Sequence, residues 1–153
     1  MRRRLFIKGN IDSSWAKLEF SNDEQTFTIW TSRVFDGLER ILTALSLIKQ
    51  GLYESEASLI DEPSEHVLHF VKDNSENIII NLYTFDKYKG APLKNRIINS
   101  DKPKFSIETT VKRLSLQVLN LFDYFQKEYG LEGYKSRWGH DFPLQKLEKL
   151  RRL

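Results

Sequence analysis

The segment 54–86 constrains the fold more than any other part of the sequence, because it predicts three strands joined by two local turns. The predicted strands cover 54–60, 65–72 and 77–85, and apolar residues alternate along the last two. Pro63 and the polar run 73–76 are typical of turns. A meander with this alternation has one apolar face, which we expect two helices elsewhere in the chain to cover.

Three more strands are predicted in the first part of the chain, at 4–8, 15–20 and 26–30, with a hairpin turn at 21–24. A further short strand is predicted near Phe105 and Ile107. The stretch 86–103 has no clear period, and a loop of this length in a small domain is either functional or hides an element. Within it, 96–98 has the composition of a short edge strand.

Two segments have the apolar spacing of amphipathic helices. The first follows Ser32, a good N-cap, and ends before Gly51. Its apolar stripe consists of Phe35, Leu38, Ile41, Leu42, Leu45 and Ile48. The second helix is predicted to begin near Thr109 and to end at Gly130. After a loop that carries Tyr134 and Trp138, a short third helix is predicted. The two aromatic residues either form a binding surface or attach this helix to the rest of the protein, and attachment is the favoured interpretation.

These patterns predict one α+β domain that covers residues 1–153. We expect an antiparallel sheet of five to seven strands, two main helices packed on one face of it, and a short C-terminal helix. A chain of 153 residues, with 40% hydrophobic and 29% charged residues, is long enough to bury a substantial core.

The composition also limits the classes of chemistry. The chain has no cysteine, which excludes disulfides and thiolate metal sites and fits a reducing compartment. No segment reaches the roughly 18 continuous apolar residues of a membrane span, and the N-terminus lacks the apolar run of a signal peptide. We therefore expect a cytoplasmic protein with no membrane partner.

No catalytic or metal-binding motif is recognisable. His66 and His69 are three residues apart in a predicted strand, so their side chains point to opposite faces and cannot bind one metal ion without a bulge. His140 has only its neighbour Asp141 as a potential acid–base partner. We therefore predict a protein that is not an enzyme and that uses no metal or other cofactor.

The charged residues are unevenly distributed. Residues 53–86 contain eight acidic residues and one lysine, a formal charge of −7, whereas 87–113 contain eight basic and two acidic residues, a formal charge of +6. One interpretation is that these segments are solvated and partly neutralise one another in the folded protein. The other is that the acidic sheet binds a cationic protein. In that case the candidate contact residues are Glu54, Glu56, Asp61, Glu62 and Glu65.

A nucleic-acid-binding domain is the alternative function. It would use the basic loop 87–113 together with the basic termini, MRRR and KLEKLRRL. The acidic meander would repel phosphate over much of the surface, which makes this the less favoured function.

Two stretches carry a resemblance to known proteins: the helix VFDGLERILTALSLIKQG followed by a strand that ends at Asp61-Glu62-Pro63, and GYKSRWGHDFPLQKLEKL near the C-terminus. They resemble a group of small bacterial proteins that occur in toxin and immunity gene neighbourhoods. The resemblance covers the chain from about Ser32 onward and has no catalytic content. It implies an α+β binding protein and, within that class, an immunity-type inhibitor of a toxin.

Overall fold

The computed structural model describes residues 4–98 and 100–153, which form seven strands in two antiparallel sheets. The first sheet consists of β1 (Phe6–Asp12), β2 (Trp15–Ser21) and β3 (Thr26–Ser32), in the order β1-β2-β3. The second consists of β4 (Glu54–Asp61), β5 (Ser64–Lys72), β6 (Asn77–Phe85) and β7 (Phe105–Thr110), in the order β4-β5-β6-β7. The helices are α1 (Gly37–Lys49), α2 (Val111–Trp138) and α3 (Leu144–Arg152).

The predicted α+β class with antiparallel strands is confirmed, but the single sheet with both main helices on one face is wrong. Each sheet instead has its own helix: α1 packs against β4 and β5, and α2 packs mainly against β1. The sheets approach each other at β3 and β4, where the Thr31 hydroxyl donates to the Ile60 carbonyl at 3.1 Å. One continuous hydrophobic core joins both sheets and all three helices. The assignment of the chain to one domain stays a prediction.

The meander lies where the sequence predicted it, and its register explains the alternation. Leu68 of β5 is opposite Leu82 of β6, and Phe70 is opposite Ile80. All four side chains are buried in the core. The face of the second sheet that carries them is the one covered by α1, since the Ser55 hydroxyl of β4 donates to the Ala44 carbonyl of α1 at 2.7 Å.

Helix α1 begins later than predicted. Its N-cap is Asp36, whose carboxylate accepts from the Glu39 N–H at 3.3 Å, whereas Ser32 is the last residue of β3. The start of the helix lies directly against β4, because a Cβ atom on Gly37 would be 2.6 Å from the Leu59 side chain. The predicted apolar stripe is buried except for Phe35, which precedes the helix.

Helix α2 does not end at Gly130. This glycine has φ 70° and ψ 175°, which interrupts the helix, but the chain resumes helical geometry until Trp138. Tyr134 and Trp138 therefore lie on a helix and not in the predicted loop. Both are buried, and the Tyr134 ring contacts Phe142 before α3 at 5.0 Å between ring centroids. The contact with Phe142 agrees with the predicted role of Tyr134 in attaching the last helix, whereas the indole of Trp138 binds Asp36 before α1.

Across the described part of the chain, the helices are too short or too polar to cross a lipid bilayer.

Candidate functional site

The five predicted contact residues do not share one face of the second sheet, whose outer face we define as the one turned away from α1. Asp61 alternates with Ser55 along β4 and so lies on the α1 side, and Glu62 lies in the β4–β5 turn. Side chains alternate between the faces of a strand, so Glu54 and Glu56 of β4 point outward. They are opposite Val71 and His69 of β5. Glu65 lies on the same face, opposite Ile60. This acidic face is not simply open to solvent, because part of the chain crosses it.

The segment that crosses it is residues 86–98, which we call the strap. It contains a short 3-10 turn at Leu93–Asn95, and the predicted edge strand at 96–98 is not formed. Ile60 and Val67 point outward from the sheet and yet are fully buried, as is Leu93 of the strap. These three residues are outside the main core cluster. We infer that the strap covers this half of the sheet and forms a small second apolar cluster.

Two glutamates of the meander hold the strap. The Glu56 carboxylate accepts from the Leu93 N–H at 3.1 and 3.2 Å. The Glu65 carboxylate forms a bidentate ion pair with Arg96, in which Nη2 and Oε2 are 3.2 Å apart, and it also accepts from the Ser58 hydroxyl. The Arg96 guanidinium lies 4.7 Å from the centre of the Phe85 ring. The acidic meander and the basic loop therefore neutralise each other at this point.

Glu65 is consequently not on the accessible surface. Its side chain is 0% exposed and that of Arg96 is 5% exposed. Burial alone raises the pKa of the Glu65 carboxyl, but the bonds from Arg96 and Ser58 and the charge of Arg96 outweigh it, so the pKa is held below its ordinary value. An ionised, buried and fully paired carboxylate stabilises the fold locally and cannot contact a partner in this conformation.

The other four predicted contact residues remain accessible to different degrees. Glu54, Glu56 and Glu62 are exposed, and Asp61 is half-buried. Glu54 contacts His69 Nε2 at 2.5 Å, and Asp61 contacts His66 Nε2 at 3.2 Å.

The two meander histidines are on opposite faces of β5, as predicted. His69 points outward toward Glu54. His66 points to the α1 face, where the Thr84 hydroxyl is 2.9 Å from His66 Nδ1. Within residues 4–98 and 100–153, no group of three or more histidine, aspartate or glutamate side chains is arranged to hold a metal ion.

The β4–β5 turn meets an exposed aromatic pair. The Tyr88 N–H of the strap donates to the Pro63 carbonyl in this turn at 3.1 Å. The Tyr88 ring packs against the Phe35 ring at 5.5 Å between centroids, and the Arg40 guanidinium lies 5.3 Å from the Phe35 ring. Phe35 and Tyr88, which we call the aromatic pair, are therefore next to Asp61 and Glu62.

The conformation of Phe35 is fixed by the C-terminal part of the chain. Phe35 and Asp36 both have positive φ, 60° and 43°. The Asp36 carboxylate accepts from the Trp138 indole N–H at 2.8 Å, and His140 Nε2 donates to the Arg33 carbonyl at 2.6 Å. The two stretches that carried the resemblance are thus in direct contact, and together they hold the turn between β3 and α1.

The sequence interpretation missed this turn, because it assigned Phe35 to the buried stripe of the helix. A signal was nevertheless present. Asp36 and Glu39 have the spacing of an N-cap and an acidic third residue, which places Phe35 just before the helix. The contacts from Trp138 and His140 had no such signal, since they join residues about a hundred positions apart.

A groove of about 500 Å³ lies elsewhere, between β1 and α2. Ile7, Gly9, Leu121 and Tyr124 are among the residues that line it. None of the predicted contact residues lines this groove, so it is separate from the acidic surface.

Comparison with known proteins found no matching family model, no similar curated protein and no similar solved structure.

Proposed function

We propose that this protein acts by binding another protein, and that Glu54, Glu56, Asp61 and Glu62 form the surface that attracts a cationic partner. One observation carries the proposal. In the described ranges 4–98 and 100–153, none of these four carboxylates is within ion-pair distance of a lysine or arginine, although the basic strap lies directly beside them. Arg96 neutralises Glu65 alone, so most of the acidic charge stays available.

The partner class follows from the sign of this charge. Exposed carboxylates along β4 and in the β4–β5 turn accelerate association with a positively charged protein and contribute less once salt screens them. The resemblance described above implies the more specific form of this function, in which the partner is a bacterial toxin and the protein is its inhibitor.

Nucleic-acid binding is the second candidate, and a specific observation favours it. Lys87, Lys89 and Lys94 of the strap and Lys102 and Lys104 after it are all exposed. None of the ion pairs that the structure describes involves them. Part of the basic N-terminus, residues 1–3, lies outside the described residues.

The two candidates are separated by a pull-down from lysate of the source cells, with and without nuclease, using the purified protein as bait. Protein binding predicts one stoichiometric protein that survives nuclease and is lost at high salt. A bait with Asp61→Lys and Glu62→Lys should recover much less of it. Recovery of nucleic acid alone, or only of proteins that disappear after nuclease, would refute protein binding and favour the lysines.

The matched control is a bait with Glu128→Lys and Glu132→Lys. These two glutamates are exposed on α2, away from the second sheet, and the double substitution changes the net charge by the same amount. The control bait should recover as much partner as the unchanged protein. An equal loss with both baits would show that only the net charge of the protein matters.

A further inference from the structure

Phe35 is an aromatic residue that the fold holds at the surface. Its side chain is 51% exposed, although every other member of the apolar stripe in which it lies is buried. Positive φ is unfavourable for a bulky residue, and the turn keeps it only because other contacts define the backbone there. A polar residue or glycine would suit this exposed, left-handed position better.

Two sets of contacts maintain this arrangement. Trp138 and His140 bind the turn from the C-terminal side through Asp36 and the Arg33 carbonyl. Tyr88 and Arg40 flank the ring itself. The ring therefore has a defined orientation without being covered, which reduces the entropy that a partner must remove when it binds an exposed side chain.

The surroundings of the ring indicate what could cover it. Through Tyr88 and the Pro63 carbonyl, Phe35 is connected to the turn that presents Asp61 and Glu62. An aromatic residue beside two carboxylates that pair with no lysine or arginine of the described residues has the organisation of a protein interface, with an apolar centre and a charged rim. A few residues in such centres, often aromatic, contribute most of the binding free energy.

We infer that Phe35 is the anchor of the protein interface, and that it inserts into an apolar pocket of a partner whose pocket rim carries lysine or arginine side chains opposite Asp61 and Glu62. This inference rests on the proposed function. It assigns the dissociation rate of the complex mainly to Phe35. The carboxylates mainly determine the association rate of the complex.

The test uses the protein recovered on the unchanged bait, purified, and measures its binding kinetics with Phe35→Asn. Asparagine tolerates positive φ, so the turn is kept while the apolar ring is removed. The dissociation rate should rise by about 30-fold, as for an anchor residue, with the association rate changed by less than about 2-fold. Phe35→Leu, which keeps an apolar side chain, should restore most of the affinity.

The matched control is Trp30→Ala. Trp30 is also an exposed aromatic residue, 48% exposed, but it lies on β3 in the first sheet. Its substitution should leave both rates within about 2-fold.

The outcomes separate this inference from the proposed function. If Asp61→Lys with Glu62→Lys slows association but Phe35→Asn dissociates like the unchanged protein, the anchor is refuted and protein binding stands. If the bait recovers only nucleic acid, the proposed function and the anchor both fail. If the unchanged protein is a dimer in solution and Phe35→Asn is a monomer, the ring is covered by a second copy of this chain, which also overturns the inference.

Discussion

The ion pair between Glu65 and Arg96 gives the sharpest prediction about stability. In Arg96→Met, the apolar stem of the side chain is kept and the charge is removed, so the Glu65 carboxylate stays buried without its cation. Breaking a buried ion pair in this way costs about 3–5 kcal/mol. This cost in stability is high because the Glu65 and Arg96 side chains are only 0% and 5% exposed.

Two routes could reduce this cost, and the structure limits both. The strap could lift to let water reach Glu65, but that would expose Ile60, Val67 and Leu93 as well. Exposing each such side chain costs about 1.5–3 kcal/mol. Glu65 could instead take up a proton, which costs about 1.4 kcal/mol for each pH unit above its pKa. Burial raises the pKa of Glu65 once Arg96 is absent, so protonation is the less costly of the two routes and brings the expected loss of stability toward the lower end of the range.

Urea unfolding followed by the fluorescence of the three tryptophans measures the effect. With a urea dependence of about 2 kcal/mol per molar, the midpoint of Arg96→Met should fall by about 2 M. The matched control is Lys94→Met, an exposed strap residue, which should change the free energy of unfolding by less than about 0.5 kcal/mol. If the midpoint of Arg96→Met shifts no more than that of the control, the buried ion pair does not hold the strap on the sheet.

Two further predictions follow from the same contacts. Phe35→Gly should be more stable to unfolding than Phe35→Ala by about 1 kcal/mol in the same urea assay, because both variants lose the contacts of the ring and only glycine relieves the positive φ; equal stability of the two variants would show that the turn is not strained. Since the pKa of Glu65 is lower in the folded protein than in the unfolded chain, its ionisation stabilises the fold above the unfolded pKa, and this contribution is lost as the pH falls through the folded pKa. The stability difference between the unchanged protein and Glu65→Gln should therefore shrink as the pH falls below about 5, and a difference that stays constant on acidification would contradict the pairing.

Local patterns predicted the strands and helices well, because they depend on neighbouring residues. The alternation of apolar residues gave β5 and β6 nearly their observed bounds, and Gly51 has φ 111° where a left-handed residue was expected after α1. The division into two sheets was not predictable in the same way. Alternation shows which face of a strand is buried, but not which strands pair or where a sheet ends.

The candidate site was harder to predict, because long-range contacts define it. The acidic residues of the meander were visible in the sequence, but Glu65 was expected on the surface and is instead buried by Arg96, 31 residues later. The sequence of the strap has no apolar periodicity, because side chains of Glu56 and Glu65 hold the strap in place and not the hydrogen bonds of a sheet or a long helix. Phe35 had the spacing of a core residue, and the contacts of Asp36 with Trp138 and of the Arg33 carbonyl with His140 hold it at the surface.

The central claim is that the carboxylates of β4 and of the β4–β5 turn attract a protein partner. The most direct test is the association rate of the purified partner with the unchanged protein and with Asp61→Lys/Glu62→Lys, at about 20 mM and about 500 mM salt. The account predicts that the charge reversal slows association by about 10-fold or more at low salt and by less than about 2-fold at high salt. Association at the same rate for both proteins at low salt would contradict it and would show that these carboxylates are only a solvated surface.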